Sequence, residues 1–577
     1  MSYLNLANFY KSISKDKFLL FALLAGLVLR GLNPTFGSPS LYVSNDEAIA
    51  HLSAFNMIAN KTPISIANYT PLGAYVQIPF LAASFLLMKI FGLVGSVPDF
   101  ELFILTHEGY FLFIPRLISA LFGTLTTLVI YKMTLLLFHL RGVKAHLGGV
   151  SRARNTAIIA AFLTTVSFNL VHISHLGRPW AAALFFFALG IYLIIKSKRV
   201  LSPIAVAFSY GFHQVGLLAF PLIALKTFRR KSHGLLYGFL ISAFLILLFS
   251  LLTKKKDIVG AIESNQSLLL ANRFLTDLIA GKGHLWESFL RTLSENLSVY
   301  FIINFLTTDA VIFLFGTAGL VIYFFKNGDH KEIFYYVIGY FIFAALFFHP
   351  LIRYLFPVFL LLIPFAAYSI VLAVDKKKHL LVFLIFLASV NSLWWNFLFL
   401  KKPTFILAHE WINKNVNKEI PIAYIGGRHQ TFVPSREAII HHQSANKNLY
   451  RRLLTILPEG NFDNVRNIIY VSSFPGRTKF EQLTRATVSY PVEYVVDYYL
   501  DPADSVFESK PEVFEKVVTF NPTRSKKQAT VAEPLFDASW NFAMNNFKPK
   551  LSMYEMSSIG PHVDILKIRT DLLTFNK

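Results

Sequence analysis

Long runs of apolar residues constrain this chain more than any other feature. They recur from Lys17 to about Leu400, and several reach the roughly 18–20 residues that a helix needs to cross the hydrocarbon of a bilayer. Hydrophobic residues make up 54% of the 577 positions and include 58 Phe. The sequence therefore predicts a polytopic α-helical membrane part over residues 1–401 and a separate, more polar part over residues 402–577.

Basic residues in the short loops between the apolar runs predict the topology. They form clusters near residues 11–17, 141–154, 196–199, 226–231, 326–331 and 376–378. Lys and Arg in short loops stay on the cytoplasmic side, so we expect an internal N-terminus, about eleven spans and an external C-terminal part. These loops also account for much of the net charge of +22, and we expect no nucleic-acid partner.

The run from Pro71 to Gly95 is treated differently from the other apolar runs. If it crossed the membrane, every later basic cluster would move to the outside. We therefore expect an interfacial or partly re-entrant helix within a first external loop of about residues 35–112. The chain has no Cys, which excludes disulfides and thiolate metal sites.

The C-terminal part alternates strand-like and helical patterns. The stretches "IPIAYIGG" (420–427), "NIIYVSS" (467–473) and "VEYVVDYY" (492–499) predict strands, and "ILAHEWINKNV" (406–416) predicts an amphipathic helix. The pattern is typical of a small external α/β domain.

Two adjacent acids, Asp46 and Glu47, follow the first apolar run. A carboxylate at the membrane surface can accept a proton from a hydroxyl group or hold a divalent cation. We take both residues as candidate catalytic groups, with Mg²⁺ or Mn²⁺ at Asp46 as an option that the sequence does not require. A solvated loop is the plain alternative, and Glu47 has the further alternative of capping the helix predicted by "EAIAHLSAFNMIA".

The stretch "HISHLGRPW" places His172, His175 and Arg178 three residues apart, on one face of a helix. The two histidines are candidate substrate or metal contacts, although two His without an acid form an incomplete metal set. Arg178 is a candidate for holding a phosphate, with snorkelling toward lipid headgroups as the alternative.

The stretch "FHPLIRYLFP" contributes His349, Arg353 and Tyr354 at the start of another apolar run. An Arg near the membrane needs an anion or a polar partner, and its guanidinium binds phosphate in a bidentate fork. Arg353 and Tyr354 are therefore candidate phosphate ligands, with His349 as a further contact. Arg116 and Arg30 can add to this group, and interface anchoring is their alternative.

Five stretches carry a family resemblance in their order and spacing over most of residues 15–400. They read "NDEAIAH", "YTPLGAYVQIPF", "PRLISALFGTLTTLVIY", "HLGRPWAAALFFFALGIYLI" and "RYLFPVFLLLIPF". Together they resemble the GT-C glycosyltransferases, in particular the branch of protein O-mannosyltransferases and ArnT-like lipid A aminoarabinose transferases.

The resemblance implies a donor sugar on a polyprenyl monophosphate and transfer on the external face. It also implies Asp46 at the catalytic centre and Arg353 near the donor phosphate. The chain departs from the family pattern where many relatives have Arg-Pro-Asp, because Trp180 follows Pro179 here. It departs again at Tyr69 and Thr70, where aminoarabinose transferases carry a Glu and a Pro.

We therefore expect an integral glycosyltransferase of the plasma or inner membrane that transfers a sugar, with inversion, to a glycan, lipid or protein acceptor. Asp46 would be its base. The first alternative is a flippase or transporter of polyprenyl-linked glycans. The second is an inactive member of the same fold that binds lipid-linked glycans, and the third is an enzyme that extends a glycan.

Overall fold

A computed structural model gives the structure of the chain. It describes residues 16–38, 45–59, 61–63, 71–139, 149–228, 233–252, 285–295, 303–327, 331–347, 352–374, 377–426, 431–441, 465–471, 478–499, 504–523 and 556–569. The side chain of Asp46 and the whole of Tyr69, Thr70 and His349 lie outside the described part.

The first 400 residues are helical wherever they form regular structure in the described part. The first ten helices are α1 (Lys17–Gly31), α2 (Asn45–Ala59), α3 (Leu72–Tyr75), α4 (Ile78–Ile90), α5 (Val97–Thr106), α6 (Glu108–Phe111), α7 (Phe113–His139), α8 (Gly149–Val166), α9 (Phe168–His175) and α10 (Trp180–Ile195). They are followed by α11 (Leu201–Phe212), α12 (Phe220–Phe228), α13 (His233–Leu251), α14 (Leu285–Glu295), α15 (Ile303–Thr308), α16 (Ala310–Asn327), α17 (Lys331–Phe347), α18 (Phe356–Val374) and α19 (Lys378–Phe399). Short 3-10 helices at Gln214–Ala219 and Ile352–Leu355 precede α12 and α18.

Several of these helices match the dimensions of a bilayer. Within the described residues, four stretches are long and apolar enough to cross a membrane, namely Leu72–Ile90, Gly109–Phe138, Arg353–Val374 and Lys378–Asn415. The bent pair α8–α9 makes a fifth if it counts as one span, and five shorter apolar helices accompany them. Helices α1 and α13 also leave Phe18, Phe21 and Phe244 more than half exposed. A membrane-embedded bundle explains this apolar surface. The span count and its orientation stay predictions.

Burial separates a central helix from a peripheral one. The stretch Arg353–Val374 is 89% buried, whereas Leu72–Ile90 is 22% buried. Helix α18 packs closely along α16, whose Gly319 lies so near the backbone of Phe365 that a side chain there would clash. Leu72–Ile90 passes the length and hydropathy test for a span, so its interfacial placement stays a prediction.

The apolar run 156–173 is not one straight helix. Helix α8 ends at Val166, α9 begins at Phe168, and the two axes differ by 49°. Ser167 lies at the break, where its hydroxyl accepts a hydrogen bond from the Leu170 N–H.

The C-terminal part begins with α20 (Thr404–Asn415) and holds a five-stranded sheet in the order β4-β1-β5-β7-β6. The strands are β1 (Ile422–Ile425), β2 (Val433–Pro434), β3 (Val465–Arg466), β4 (Ile468–Val471), β5 (Tyr494–Tyr499), β6 (Phe514–Phe520) and β7 (His562–Ile568). The helices around them are α21 (Arg436–His441), α22 (Lys479–Ser489) and α23 (Val506–Ser509). Strands β4, β1 and β5 are parallel, whereas β7 is antiparallel to both of its neighbours. The three predicted strands and the predicted helix are confirmed.

Candidate active site

Helix α2 begins at the predicted acidic pair. Asn45 is its first residue, Asp46 its second and Glu47 its third. Glu47 is fully buried. The backbone thus places Asp46 in the first turn of a helix, where the partial positive charge of the helix N-terminus stabilises a carboxylate.

Glu47 forms a buried ion pair with Arg116 near the start of α7. Arg116 Nε donates to Glu47 Oε1 at 2.6 Å and Nη2 donates to Oε2 at 3.0 Å. Arg116 Nη1 donates to the carbonyl groups of Pro34 (2.9 Å) and Phe36 (2.6 Å), and the Gly177 N–H donates to Glu47 Oε1 at 2.7 Å. Both carboxylate oxygens and three guanidinium nitrogens are thus engaged. This geometry favours a structural role for both residues, so Glu47 as a catalytic group and Arg116 as a phosphate ligand stay predictions without support.

The segment Gly177–Trp180, which joins α9 to α10, is packed at each of its residues. A side chain at Gly177 would come within 2.8 Å of Pro115 and 3.1 Å of Glu47. A side chain at Gly73 in α3 would come within 2.9 Å of Pro179. Both glycines are therefore required by close approach.

The other two residues of the segment extend its contacts. The Arg178 carbonyl accepts a hydrogen bond from the Ser119 hydroxyl at 2.9 Å, and the Arg178 side chain is buried. The Trp180 ring lies 4.0 Å from the ring of His213 and 5.8 Å from the ring of Tyr354, measured between centroids.

Arg353 and Tyr354 lie in the 3-10 helix before α18 and are partly exposed. The Arg353 guanidinium lies 5.8 Å from the centroid of the Tyr354 ring. The Tyr340 hydroxyl donates to the Tyr354 carbonyl at 2.5 Å, which fixes the backbone of this turn. His213 is oriented by its own Nδ1, which accepts the Val215 N–H at 3.2 Å.

The segment Gly177–Trp180 therefore contacts all four of the other stretches that carry the family resemblance. Glu47 comes from the first, Gly73 from the second, Ser119 from the third and Tyr354 from the fifth. The structure thus brings together Glu47, Arg116, Arg178, Arg353 and Tyr354 around one loop, with the backbone of Asp46 beside Glu47.

The two predicted histidines of α9 are buried among aromatic rings. His175 Nδ1 donates to the Val171 carbonyl at 3.1 Å, and its ring lies 4.5 Å from that of Phe399. The His172 ring lies 5.0 Å from that of Trp395. Among the described residues, no group of three or more His, Asp or Glu side chains is placed to hold a metal ion. A cation at Asp46 and a contact from His349 stay predictions, because both side chains lie outside the described part.

The break between α8 and α9 carries charges that the sequence analysis did not connect. Arg30 donates to the carbonyl groups of Thr164 (2.6 Å) and Thr165 (3.2 Å) at the end of α8. The Asp309 carboxylate accepts the N–H groups of Phe168 and Asn169 at the start of α9, both at 2.9 Å. Arg30 is thus committed to helix carbonyls, and a Ser preceding a helical run was the signal for the break.

His51 ties α2 to the stretch after α3. Its Nδ1 donates to Gln77 Oε1 at 2.8 Å, and Gln77 Nε2 donates to the Gly73 carbonyl at 2.7 Å. Burial lowers the pKa of His51 to about 4, against the smaller opposing effect of the hydrogen bond with Gln77. The imidazole is therefore neutral at pH 7.

No protein-family model and no curated protein matches the chain. ArnT from Cupriavidus metallidurans in the apo state is similar at 12% identity and a TM-score of 0.43, over 89% of this chain and 97% of ArnT. The same protein bound to undecaprenyl phosphate is similar at 12% identity and a TM-score of 0.41, over 89% of this chain and 96% of ArnT.

The archaeal oligosaccharyltransferase AglB from Archaeoglobus fulgidus, in complex with an inhibitory peptide and a dolichol-phosphate, is a third similar structure. Its identity is 15% and its TM-score 0.41, over 83% of this chain and 69% of AglB. ArnT belongs to the group that the five sequence stretches resemble, so the predicted resemblance is confirmed. At these TM-scores the likeness is remote and carries no argument about what this chain binds or catalyses.

Proposed function

We propose that the protein is an integral-membrane glycosyltransferase that moves a sugar from a polyprenyl-phosphate carrier to an acceptor on the external face. The observation that carries this proposal is the packing around Gly177–Trp180. The first residue of this segment, Gly177, contacts Glu47, the residue after Asp46, and its last residue, Trp180, contacts Tyr354, the neighbour of Arg353. The backbone of a candidate base and a cation near the two ends of one packed segment suit a transfer between a hydroxyl and a phosphate ester.

Asp46 acts as the general base in this proposal. The acceptor hydroxyl attacks the anomeric carbon, its proton passes to the Asp46 carboxylate, and the bond between the anomeric carbon and the phosphate oxygen breaks. The polyprenyl phosphate leaves with the bonding electron pair. Direct displacement of this kind inverts the anomeric centre.

Arg353 stabilises the negative charge that develops on the departing phosphate. A fixed cation lowers the barrier because its attraction to the phosphate is stronger in the transition state than in the ground state. Tyr354 adds a hydroxyl near the same charge, and Arg178 is a further phosphate group of this proposal. Glu47 and Arg116 are positioning residues, because their ion pair fixes the first turn of α2 and hence the backbone of Asp46.

The broken helix α8–α9 is a feature that flippases and transporters also use. Transporters use half-helix ends to hold substrates and ions. Here Asp309 occupies the N-terminal end of α9 and Arg30 the C-terminal end of α8. Both ends are satisfied within the protein, so the break gives no support to the transporter alternative.

Transfer of radiolabelled sugar tests the proposal. The full chain in lipid is incubated with a panel of polyprenyl-phosphate sugars and a native membrane extract as acceptor, with and without Mg²⁺ or Mn²⁺. We compare wild type, Asp46→Asn and the control Asp99→Asn, which changes an exposed acid of the same loop. We expect transfer by wild type and Asp99→Asn and a loss of at least about a hundredfold in Asp46→Asn.

Full activity of Asp46→Asn would overturn the base assignment. Donor binding without transfer by any form, with each candidate acceptor and cation supplied, would favour the inactive binding member. Movement of the intact donor across sealed vesicles would favour the flippase.

A further inference from the structure

The N-terminus of α10 lacks the side-chain cap that helices usually carry. Its N-cap residue is Pro179, whose side chain makes no capping hydrogen bond to the helix. The first N–H groups of a helix have no partner within the helix and point along its positive end. This 16-residue helix therefore presents donors at the segment Gly177–Trp180.

Trp180 adds a side-chain donor at the same helix end. It is the first residue of α10 and is 1% exposed. Its indole Nε1–H has no hydrogen-bond acceptor among the described residues. A buried N–H without an acceptor is costly, so an acceptor in the bound state is the simplest reason to keep this one.

The surroundings of the indole suit an anion. The ring is fixed between those of His213 (4.0 Å), Tyr354 (5.8 Å) and Phe356 (6.5 Å). The Arg353 guanidinium lies over the Tyr354 ring, 5.8 Å from its centroid, and adds a positive charge. An indole donor, a helix N-terminus and a guanidinium together match the oxygens of a phosphate group.

We propose that Trp180 Nε1–H and the N-terminus of α10 form the phosphate-binding site for the lipid carrier, with Arg353 at its side. The inference rests on the proposed function and deepens it. Trp180 is a binding residue in a place where the sequence pattern led us to expect an acid. The recognised chemistry is a phosphate group, either on a lipid headgroup or as free phosphate, and we assign the lipid headgroup because the site lies in the apolar bundle.

Equilibrium binding to the full chain in nanodiscs tests the site. The probes are undecaprenyl phosphate, undecaprenol and inorganic phosphate. The variant is Trp180→Phe, and the matched control is Trp395→Phe. Trp395 is also buried, with an indole N–H that has no acceptor among the described residues and a ring against His172. It lies inside α19 and contacts Phe168 at the N-terminus of α9, which Asp309 already caps.

We expect Trp180→Phe to bind undecaprenyl phosphate at least about tenfold more weakly than wild type, because a hydrogen bond to a charged acceptor is lost. Trp395→Phe should bind like wild type, and undecaprenol should bind all three forms equally and weakly. Equal binding of undecaprenyl phosphate by wild type and Trp180→Phe would overturn the proposal. Inorganic phosphate that binds as tightly as the lipid would overturn the assignment to a headgroup.

The indole proton gives a readout that a packing role would not move. The chain has six Trp, and the Trp180 indole resonance of ¹⁵N-labelled protein is identified by its absence in Trp180→Phe. We expect undecaprenyl phosphate, but not undecaprenol, to shift this resonance downfield. An unmoved resonance at saturating lipid would contradict the site even if Trp180→Phe binds the lipid more weakly than wild type.

The two proposals fail separately. A wild type that binds undecaprenyl phosphate through Trp180 but transfers no sugar would keep this site and overturn the proposed function. Sugar transfer together with unaltered binding by Trp180→Phe would keep the function and overturn this site.

Discussion

Two helix N-termini twelve residues apart in the chain, those of α9 and α10, are treated in opposite ways. At α9 the Asp309 carboxylate accepts the N–H groups of Phe168 and Asn169, and the Ser167 hydroxyl donates to the same carboxylate at 3.0 Å. At α10 the N-cap is a proline, and an indole N–H without an acceptor among the described residues lies in the first turn.

At α9 the first N–H groups are satisfied within the protein. At α10 the uncapped end is available to a ligand. A capped end in an apolar bundle has its donors satisfied and gains nothing from binding an anion. An uncapped end retains the electrostatic preference for one. Substitutions at contacts satisfied within the protein should therefore lower the free energy of unfolding most. Substitutions at the uncapped N-terminus of α10 should mainly weaken binding.

The largest effect is expected from the closed Glu47–Arg116 pair. Glu47→Ala leaves a buried guanidinium without its carboxylate, and we expect a loss of about 3–5 kcal/mol in the free energy of unfolding. Thermal unfolding in lipid measures it. The double variant Glu47→Ala, Arg116→Ala is the control, because it removes both charges and should lose less than the sum of the single variants. Additive losses would contradict a coupled pair.

The capped end of α9 comes next. Asp309→Ala removes the acceptor of two backbone N–H groups and of the Ser167 hydroxyl, and we expect a loss of about 2–3 kcal/mol. Unfolding of the purified protein and proteolysis near residue 167 check this loss. Asp99→Ala is the matched control, since the exposed Asp99 carboxylate accepts the Gly95 N–H and the Ser96 hydroxyl at the start of its own helix. A smaller loss for Asp309→Ala than for Asp99→Ala would break the contrast between a buried cap and an exposed one.

Gly177→Ala tests the packing of the segment that joins α9 to α10. A methyl group there meets Pro115 and Glu47, and overpacking of this kind costs about 1–3 kcal/mol. Its donor binding should also weaken, because Trp180 lies three residues further on. Gly339→Ala, with no atom within 4 Å of the added carbon in the described structure, is the control. Equal stability and equal donor binding in the two variants would show that the segment Gly177–Trp180 is not part of the site.

The sequence reveals the local parts of this arrangement and hides the distant ones. Apolar runs predict most helices, short strand-like stretches predict β1, β4 and β5, and the stretch "EAIAHLSAFNMIA" predicts the helix that α2 forms. Contacts such as Glu47–Arg116 and Asp309–Phe168 join residues 69 and 141 positions apart. No periodicity encodes such pairs. They follow from helix packing, which apolar pattern alone leaves undetermined.

Trp180 is a second residue whose role could not be predicted from the sequence. Its identity was noticed only as a departure from an expected acid. That its N–H is buried without an acceptor among the described residues, at an uncapped helix end, depends on the positions of His213 and Tyr354, which lie 33 and 174 positions further along the chain. A single residue letter cannot distinguish a buried core Trp from a buried binding Trp.

The smallest expected effect is a pH dependence of the contacts that support Pro179 at the N-terminus of α10. His51 reaches Gly73 through Gln77, and Gly73 packs against Pro179. The pKa of His51 is about 4 in the folded protein, below the ordinary value of 6.5, so the unfolded state binds more protons between these two values. Stability is therefore complete above pH 6.5 and falls as the pH drops toward 4, by about 1 kcal/mol from pH 7 to pH 5.5. His51→Asn keeps a donor for Gln77 and does not titrate, so its unfolding temperature should fall less than that of wild type over the same range. Parallel pH profiles for the two proteins would show that the closed network around Gly73 does not include a neutral His51.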